Sequence, residues 1–171
     1  MQTKTETDFK VAVLGEDVSR VISSSVSQLG CNLIVTNRPD QALNLLESDE
    51  IDVLITDIDS PDISYPDFLK SCKRTSKDTA VILVGSVVDV ETAFEAARLG
   101  AYQCISKPVD AEKLGDVIDR ALDAARLKRE ARSVRQIVVG NRESDRFVVG
   151  KSRVMQEIAQ IIEKVAESKA S

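Results

Sequence analysis

Short apolar runs alternate with longer amphipathic stretches along residues 10–136. The apolar runs predict five strands, at 10–14, 32–35, 51–57, 80–84 and 102–105. Between and after them, apolar residues recur at close to the 3.6-residue period of a helix, which predicts helices at 18–29, 40–48, from near 66, at 89–99 and from 110 to about 136. Because strands and helices alternate, the pattern predicts an α/β fold in which a parallel sheet carries helices on both faces.

The third run is the most informative, because it lacks polar alternation and ends in an aspartate, Asp57. Val53, Leu54 and Ile55 are typical of a strand that is buried on both faces. The turn-rich stretch 58–62 predicts a carboxylate that is open to solvent and to phosphate donors. A strand-end aspartate that only turns the chain has the same local pattern, so the role of Asp57 depends on its neighbours.

Several polar residues follow the predicted strands. Right-handed crossovers place the carboxyl ends of parallel strands at one edge of a sheet, where ligands of open α/β sheets bind. That edge is predicted to gather Glu16 and Asp17 after the first strand, Asp57 after the third, Ser86 after the fourth and Lys107 after the fifth.

These residue types suit the transfer of a phosphoryl group to an aspartate. Mg²⁺ binds one or two carboxylates together with waters and phosphate oxygens, so Glu16, Asp17 and Asp57 are candidate ligands. Lys107 offers a positive charge to a phosphoryl oxygen, and Ser86 offers a hydrogen-bond donor. A metal-free structural network of Lys107 with the acids is the competing interpretation.

The amino-acid composition argues against several other classes of function. The chain has no histidine, which excludes Ser-His-Asp and Cys-His catalysis and histidine metal sites within it. Its three cysteines lie far apart, which argues against a disulfide framework or a zinc site. A net charge of −5 argues against a nucleic-acid-binding domain. The polar N-terminus and the lack of a run of ~20 apolar residues favour a cytoplasmic protein without a membrane span.

Over residues 9–125 the chain resembles a response-regulator receiver domain. The resemblance rests on Glu16-Asp17, on Asp57 with Pro61 four residues later, on Gly100-Ala101 and on Lys107-Pro108. It implies a flavodoxin-like (CheY-like) doubly wound five-stranded sheet and a phosphoryl group donated by the histidine of a sensor kinase. The site residues it implies are Asp57 as phosphoacceptor, Lys107 as the phosphoryl contact, and Glu16, Asp57 and the backbone carbonyl of Asp59 as Mg²⁺ ligands, with Asp17 as a secondary candidate.

Three positions depart from the pattern of these receivers. Gly15 stands in place of the first of two acids, and Cys104 replaces an aromatic residue that reports phosphorylation. Gly85 stands in place of a Thr or Ser hydroxyl, for which the neighbouring Ser86 is the candidate substitute. A degenerate receiver that serves as a phosphorylation-independent dimerisation or docking module is therefore an alternative. A flavodoxin-like enzyme or cofactor binder is a third, but the chain lacks a glycine-rich first loop.

The long last helix is predicted to continue past the domain. Leu127, Ala131 and Val134 form a narrow apolar stripe, which is typical of a dimeric coiled coil, with a solvated charged helix as the alternative. The predicted homodimer uses this helix and the face made by the fourth helix, the fifth strand and the fifth helix. Basic residues concentrated at 126–135 are interpreted as a solvated face rather than a nucleic-acid site.

The remaining segments complete the predicted domain organisation: a flexible N-terminus at 1–8, the receiver at 9–125, a linker helix and loop at 126–146 with turn-rich residues at 137–150, and residues 147–171. The last segment, with a helix from Ser152, resembles the opening of the AAA+ ATPase of an NtrC-type sigma-54 activator. Gly150-Lys151-Ser152 is no P-loop, since Asp145 stands where its first glycine belongs. We therefore expect a fragment or truncated product without ATPase activity, whose contacts with RNA polymerase sigma-54 and DNA require domains outside this sequence.

Overall fold

The computed structural model describes residues 8–48, 51–143 and 160–161. The chain divides into two compact units, Met1–Glu130 and Ala131–Ser171. The first unit contains the sheet and every site residue predicted from the sequence. Within the described residues, no helix combines the length and the apolar character needed to cross a membrane.

The five predicted strands and the five predicted helices in the described part of the chain are all present. The strands are β1 Lys10–Leu14, β2 Asn32–Thr36, β3 Val53–Asp57, β4 Ala80–Gly85 and β5 Gln103–Ser106. The helices are α1 Glu16–Gln28, α2 Pro39–Ser48, α3 Tyr65–Thr75, α4 Val90–Arg98 and α5 Ala111–Glu143. All strand pairings are parallel in the order β2-β1-β3-β4-β5, which confirms the predicted doubly wound fold.

The strand order places Asp57 at the point where the winding direction reverses. From β1 the chain moves to β2 on one side, and it then crosses to β3 on the other side of β1. Ligands of doubly wound sheets bind outside the carboxyl ends of the strands at such a switch point. Thr56 pairs with Leu14 of β1 and Asp57 with Val84 of β4, so the Asp57 carboxylate stands at the centre of that edge.

Two apolar clusters, one on each face of the sheet, hold β3 in place. Val53 and Ile55 pack on the face that contains Ile118 of α5, and Leu54 packs on the face that contains Leu69 of α3. All five of these side chains are fully buried. Burying one such side chain stabilises the fold by about 1.5–3 kcal/mol, which explains the absence of polar alternation in this strand.

Local signals set several helix ends as predicted. Gly30 after α1 has φ 70° and Gly100 after α4 has φ 98°, a left-handed conformation that glycine adopts without strain. The carboxylate of Asp89 accepts a hydrogen bond from Thr92 N at 2.8 Å and caps α4. Pro66 lies in the first turn of α3, where its missing N–H costs nothing.

The predicted end of the last helix was wrong. The sequence predicts a helix to about residue 136 and turn-rich residues from 137, but α5 continues to Glu143. A single glycine, Gly140, disfavours a helix by only about 1 kcal/mol relative to alanine, and no proline follows it within the helix. The rest of the predicted linker, residues 1–7 and the helix predicted from Ser152 lie outside the described residues, apart from 160–161, which are helical.

An ion pair attaches the middle of α5 to the residues before the sheet. Asp52, which is buried just before β3, accepts a hydrogen bond from Lys10 N at 2.9 Å and forms an ion pair with an Arg129 guanidinium nitrogen at 2.7 Å. The Arg129 guanidinium also lies 5.1 Å from the centre of the Phe9 ring, within cation–π range. Contacts between α5 and the sheet therefore extend beyond residue 125.

Candidate functional site

Asp57 lies at the carboxyl end of β3 with both carboxylate oxygens engaged. Its Oδ1 accepts a hydrogen bond from Asp59 N at 3.0 Å, and its Oδ2 accepts one from Lys107 Nζ at 2.7 Å. The side chain is only 14% exposed. It is therefore more enclosed than the turn-rich sequence predicts, although it lines an open cavity.

Lys107 follows β5 and lies between two carboxylates. Its Nζ is 2.7 Å from Asp57 Oδ2 and 2.9 Å from Asp59 Oδ2. Partial burial lowers the pKa of Lys107, but the hydrogen bonds and the charges of Asp57 and Asp59 outweigh burial and raise it. Lys107 is therefore a fixed cation at neutral pH, placed to neutralise charge at the Asp57 oxygens.

The Asp59 side chain has a role that the sequence did not reveal. Its Oδ2 accepts hydrogen bonds from Ser86 N at 2.8 Å and from Ser86 Oγ at 2.7 Å, and its Oδ1 lies 3.0 Å from Ser86 N. The Ser86 hydroxyl, and after it Lys107, hold the pKa of Asp59 below its ordinary value. The resemblance implied a role only for the backbone carbonyl of Asp59. Nothing in the sequence signalled a role for its side chain, because residues in a turn follow no periodic pattern.

The missing side chain of Gly85 is replaced in space by Ile58. A Cβ built on Gly85 would lie 2.5 Å from Ile58 Cγ1 and 2.8 Å from Ile58 Cδ1. The Ile58 backbone N donates to Val84 O at 2.8 Å, which keeps this residue beside the end of β4. The neighbouring Ser86 does carry a hydroxyl, but that hydroxyl donates to Asp59.

Glu16 and Asp17 begin α1 and border the same cavity as Asp57. The cavity has a volume of about 410 Å³ and is lined by Leu14, Gly15, Glu16, Asp17, Asn37, Asp57, Ser60 and Ile63. Glu16 is 63% exposed and pairs with Arg20 at 2.8 Å. Gly15 has φ 126°, and its Cβ would lie 3.2 Å from Asp57 Cβ, so an acid at this position requires a different backbone.

The donor set around the cavity suits a hydrated Mg²⁺ ion. Among the described residues no three Asp, Glu, Cys or His side chains converge on one metal position. Mg²⁺ needs fewer protein ligands, since it keeps several waters and takes one or two carboxylates with other oxygens. Two such carboxylates, Asp57 and Glu16, line one cavity, and that of Glu16 is paired with Arg20.

Cys104 in β5 takes the place of the expected aromatic residue. It is half-buried against the apolar cluster that contains Leu83, and burial raises the pKa of its thiol. Nearby Tyr102 is 42% exposed and lies just before the strand. A small thiol leaves β5 without the large side chain whose rotation signals phosphorylation in the receivers that the sequence resembles.

Comparison with known proteins gives one family and a consistent group of relatives. Residues 15–119 match the model of the response regulator receiver domain. Regulatory protein AtoC of Escherichia coli (strain K12) is 30% identical over 156 residues, which cover 91% of this chain and 34% of AtoC. Luminescence regulatory protein LuxO of Vibrio campbellii is 28% identical over 155 residues, which cover 90% of this chain and 33% of LuxO.

A solved structure extends the similarity beyond the sheet domain. The crystal structure of NtrX from Brucella abortus in complex with ADP matches with a TM-score of 0.63 and 28% identity. The match covers 92% of this chain and 35% of that one. The chain thus spans about a third of the length of these relatives.

Proposed function

The chain belongs to the response regulator receiver domain family, whose members accept a phosphoryl group on an aspartate, and we propose that Asp57 is that aspartate here. The observation that carries the proposal is the 2.7 Å contact between Lys107 Nζ and Asp57 Oδ2 at the switch point of the sheet. It unites a carboxylate nucleophile and a fixed cation at the edge where ligands of such sheets bind.

The proposed reaction takes the phosphoryl group from a phosphohistidine of a sensor kinase. An Asp57 carboxylate oxygen bonds to phosphorus while the phosphorus–nitrogen bond breaks, and the electron pair of that bond stays on the imidazole. The product on Asp57 is an acyl phosphate. Lys107 neutralises charge on the phosphoryl oxygens, which is the main contribution that proteins make to phosphoryl transfer. Ser86 is the proposed hydroxyl donor.

Family members bind Mg²⁺ in the acidic pocket, and we assign the ligands to this chain's residues. They are the carboxylates of Asp57 and Glu16 and the backbone carbonyl of Asp59, with Asp17 as the alternative carboxylate. The bound ion would offset negative charge on the phosphoryl oxygens and on Asp57. Glu16 must release Arg20 to reach it.

The proposed partners follow from the receiver assignment. In the cytoplasm, where we place this chain, a sensor histidine kinase donates the phosphoryl group, and the chain itself contains no histidine. Phosphorylation controls a homodimer through the α4–β5–α5 face and α5, and through it a sigma-54 activator ATPase. Contacts with RNA polymerase sigma-54 and DNA belong to domains outside this sequence. The exposed apolar residues Val90 and Phe94, 88% and 72% accessible, support an interface on α4.

A second candidate function is favoured by the contact between Ile58 and Gly85. Because Ile58 fills the space of the family's hydroxyl-bearing side chain, one donor to the phosphoryl group is missing. A receiver with this defect can still dimerise or dock through α4 without phosphorylation. In that case the ion pair of Lys107 and Asp57 is purely structural.

Mass spectrometry of the intact chain separates the two candidates. Wild type and Asp57→Asn are incubated with Mg²⁺ and acetyl phosphate, and Asp62→Asn, an exposed acid in the following loop, serves as the matched control. We expect a base-labile gain of ~80 Da in wild type and in Asp62→Asn but not in Asp57→Asn. No gain in wild type would contradict the phosphoacceptor proposal and favour the docking module.

A further inference from the structure

The Asp59 carboxylate is bound by three donors, one of which also binds Asp57. They are Ser86 N and Ser86 Oγ, at 2.8 and 2.7 Å from Asp59 Oδ2, and Lys107 Nζ at 2.9 Å. Lys107 Nζ simultaneously contacts the Asp57 oxygen that would bond to phosphorus or lie next to it. Lys107 therefore links the donors that hold Asp59 to the oxygen of Asp57.

We propose that the Asp59 carboxylate occupies the position of a phosphoryl oxygen in the unphosphorylated chain and sets the rate at which Asp57 is phosphorylated. Asp59 is then a positioning residue and an internal competitor of the phosphoryl group. The inference rests on the function proposed above, and it assigns to the Asp59 side chain a role separate from that of its backbone carbonyl.

Ser86 has too few hydrogen-bond donors to bind both the Asp59 carboxylate and a phosphoryl group. A carboxylate and a phosphoryl group are both anions that accept charge-assisted hydrogen bonds. The Ser86 backbone has one N–H and its side chain one O–H, and both point to Asp59. Lys107 has three N–H donors and can serve Asp57, Asp59 and a phosphoryl oxygen together. An incoming phosphoryl group must therefore displace Asp59 to gain the Ser86 donors.

Gly85, which has no side chain, lies beside the Asp59 carboxylate. A Cβ at Gly85 would lie 3.4 Å from Asp59 Oδ1, an ordinary van der Waals contact, so the Asp59 carboxylate packs directly beside the glycine. Asp59 is 36% exposed, whereas Asp57 is 14% exposed. The Asp59 carboxylate can therefore swing into solvent when a phosphoryl group arrives, while Asp57 stays in place.

Removing the carboxylate should speed the reaction. Asp59→Ala frees both Ser86 donors and removes one negative charge from the path of an anionic phosphate donor. We expect acyl phosphate to form about tenfold faster in Asp59→Ala than in wild type, with a smaller gain in Asp59→Asn, whose neutral amide oxygen still accepts hydrogen bonds from Ser86. Rates are measured with acetyl phosphate at saturating Mg²⁺, because the loss of a carboxylate also weakens attraction for the cation.

Two further measurements distinguish competition from a loop-holding role. Asp62→Asn, which removes the same charge from the same loop, should phosphorylate at the wild-type rate. The Ser86 amide proton should move upfield in the NMR spectrum of Asp59→Ala and stay in place in Asp62→Asn. This second readout requires no phosphorylation.

The outcomes separate the inference from the proposed function. A wild-type rate in Asp59→Ala overturns the inference and leaves Asp57 as acceptor, whether or not the Ser86 amide moves. Absence of label from wild type and from both Asp59 variants overturns the proposed function and the inference with it. An unmoved Ser86 amide overturns the inference alone.

Discussion

The side chain of Ile58 lies in the space that any side chain at Gly85 would enter. A Cβ on Gly85 would be 2.5 Å from Ile58 Cγ1, a distance that real Cβ contacts do not show. Gly85 is in β4 and has no positive φ, so the restriction comes from space and not from backbone conformation. The two positions are therefore coupled, and restoring a hydroxyl at 85 requires the Ile58 side chain to move aside or to be smaller.

We predict that Gly85→Thr destabilises the chain by roughly 1–3 kcal/mol, because the new side chain overpacks against Ile58. Combining it with Ile58→Ala should cost less than the sum of the two single changes. Urea unfolding of the wild type, both single variants and the double variant forms the thermodynamic cycle that measures this coupling. Additive costs would contradict the proposed coupling.

We predict that phosphorylation requires both the charge and the ammonium geometry of Lys107. Lys107→Met leaves Asp57 and Asp59 without their shared cation, and we expect labelling by acetyl phosphate to slow at least about tenfold. Lys107→Arg keeps the charge, but its planar fork differs in length and geometry from an ammonium group, so it should restore only part of the rate. The time course of the intact-mass gain gives both rates. Equal rates in wild type and Lys107→Met would refute this role.

Mg²⁺ binding should appear as thermal stabilisation of the folded chain. A ligand that binds only the folded state at 100 times its Kd stabilises it by about 2.7 kcal/mol. We expect Mg²⁺ to raise the unfolding midpoint of wild type and to raise it less in Glu16→Gln and in Asp57→Asn. Asp123→Asn, which loses only an exposed pair with Arg126, is the matched control and should respond like wild type. The same response in all four proteins would exclude these ligands.

The ease of predicting the fold and the difficulty of predicting the site have separate physical causes. Val53 to Ile55 identified β3 because burial on both faces removes polar alternation, and the parallel topology then brought Asp57 and Lys107 to one edge. The contacts of Asp59 with Ser86 depend on loop rotamers, which leave no periodic signal. The Ile58 side chain beside Gly85 is a tertiary contact, and neither residue indicates it alone. The predicted end of α5 was too early because Gly140 is typical of a helix end, whereas one glycine costs a helix only about 1 kcal/mol.

Arg129 should stabilise the chain far more than its neighbour Arg126. Arg129 pairs with the buried carboxylate of Asp52, whereas Arg126 pairs with the exposed Asp123. We predict a loss of about 2 kcal/mol for Arg129→Ala, because it removes an ion pair from a buried carboxylate, and about 0–1 kcal/mol for Arg126→Ala. Denaturant unfolding measures the free energy of unfolding of both variants, each of which loses one positive charge. Equal midpoints would show that the Asp52 pair adds no net stability.

The exposed apolar residues of α4 should control self-association. Val90 and Phe94 lie one helical turn apart and are 88% and 72% exposed, a pattern that marks interaction surfaces in soluble proteins. We predict that Phe94→Ser weakens dimerisation of the phosphorylated chain at least about tenfold, since truncating an interface aromatic typically costs more than ~1.4 kcal/mol. Val35→Ser, an exposed apolar residue on β2, is the matched control. Sedimentation over a range of concentrations, with and without acetyl phosphate, measures the effect; a monomeric wild type under both conditions would remove the α4 face as a dimer interface.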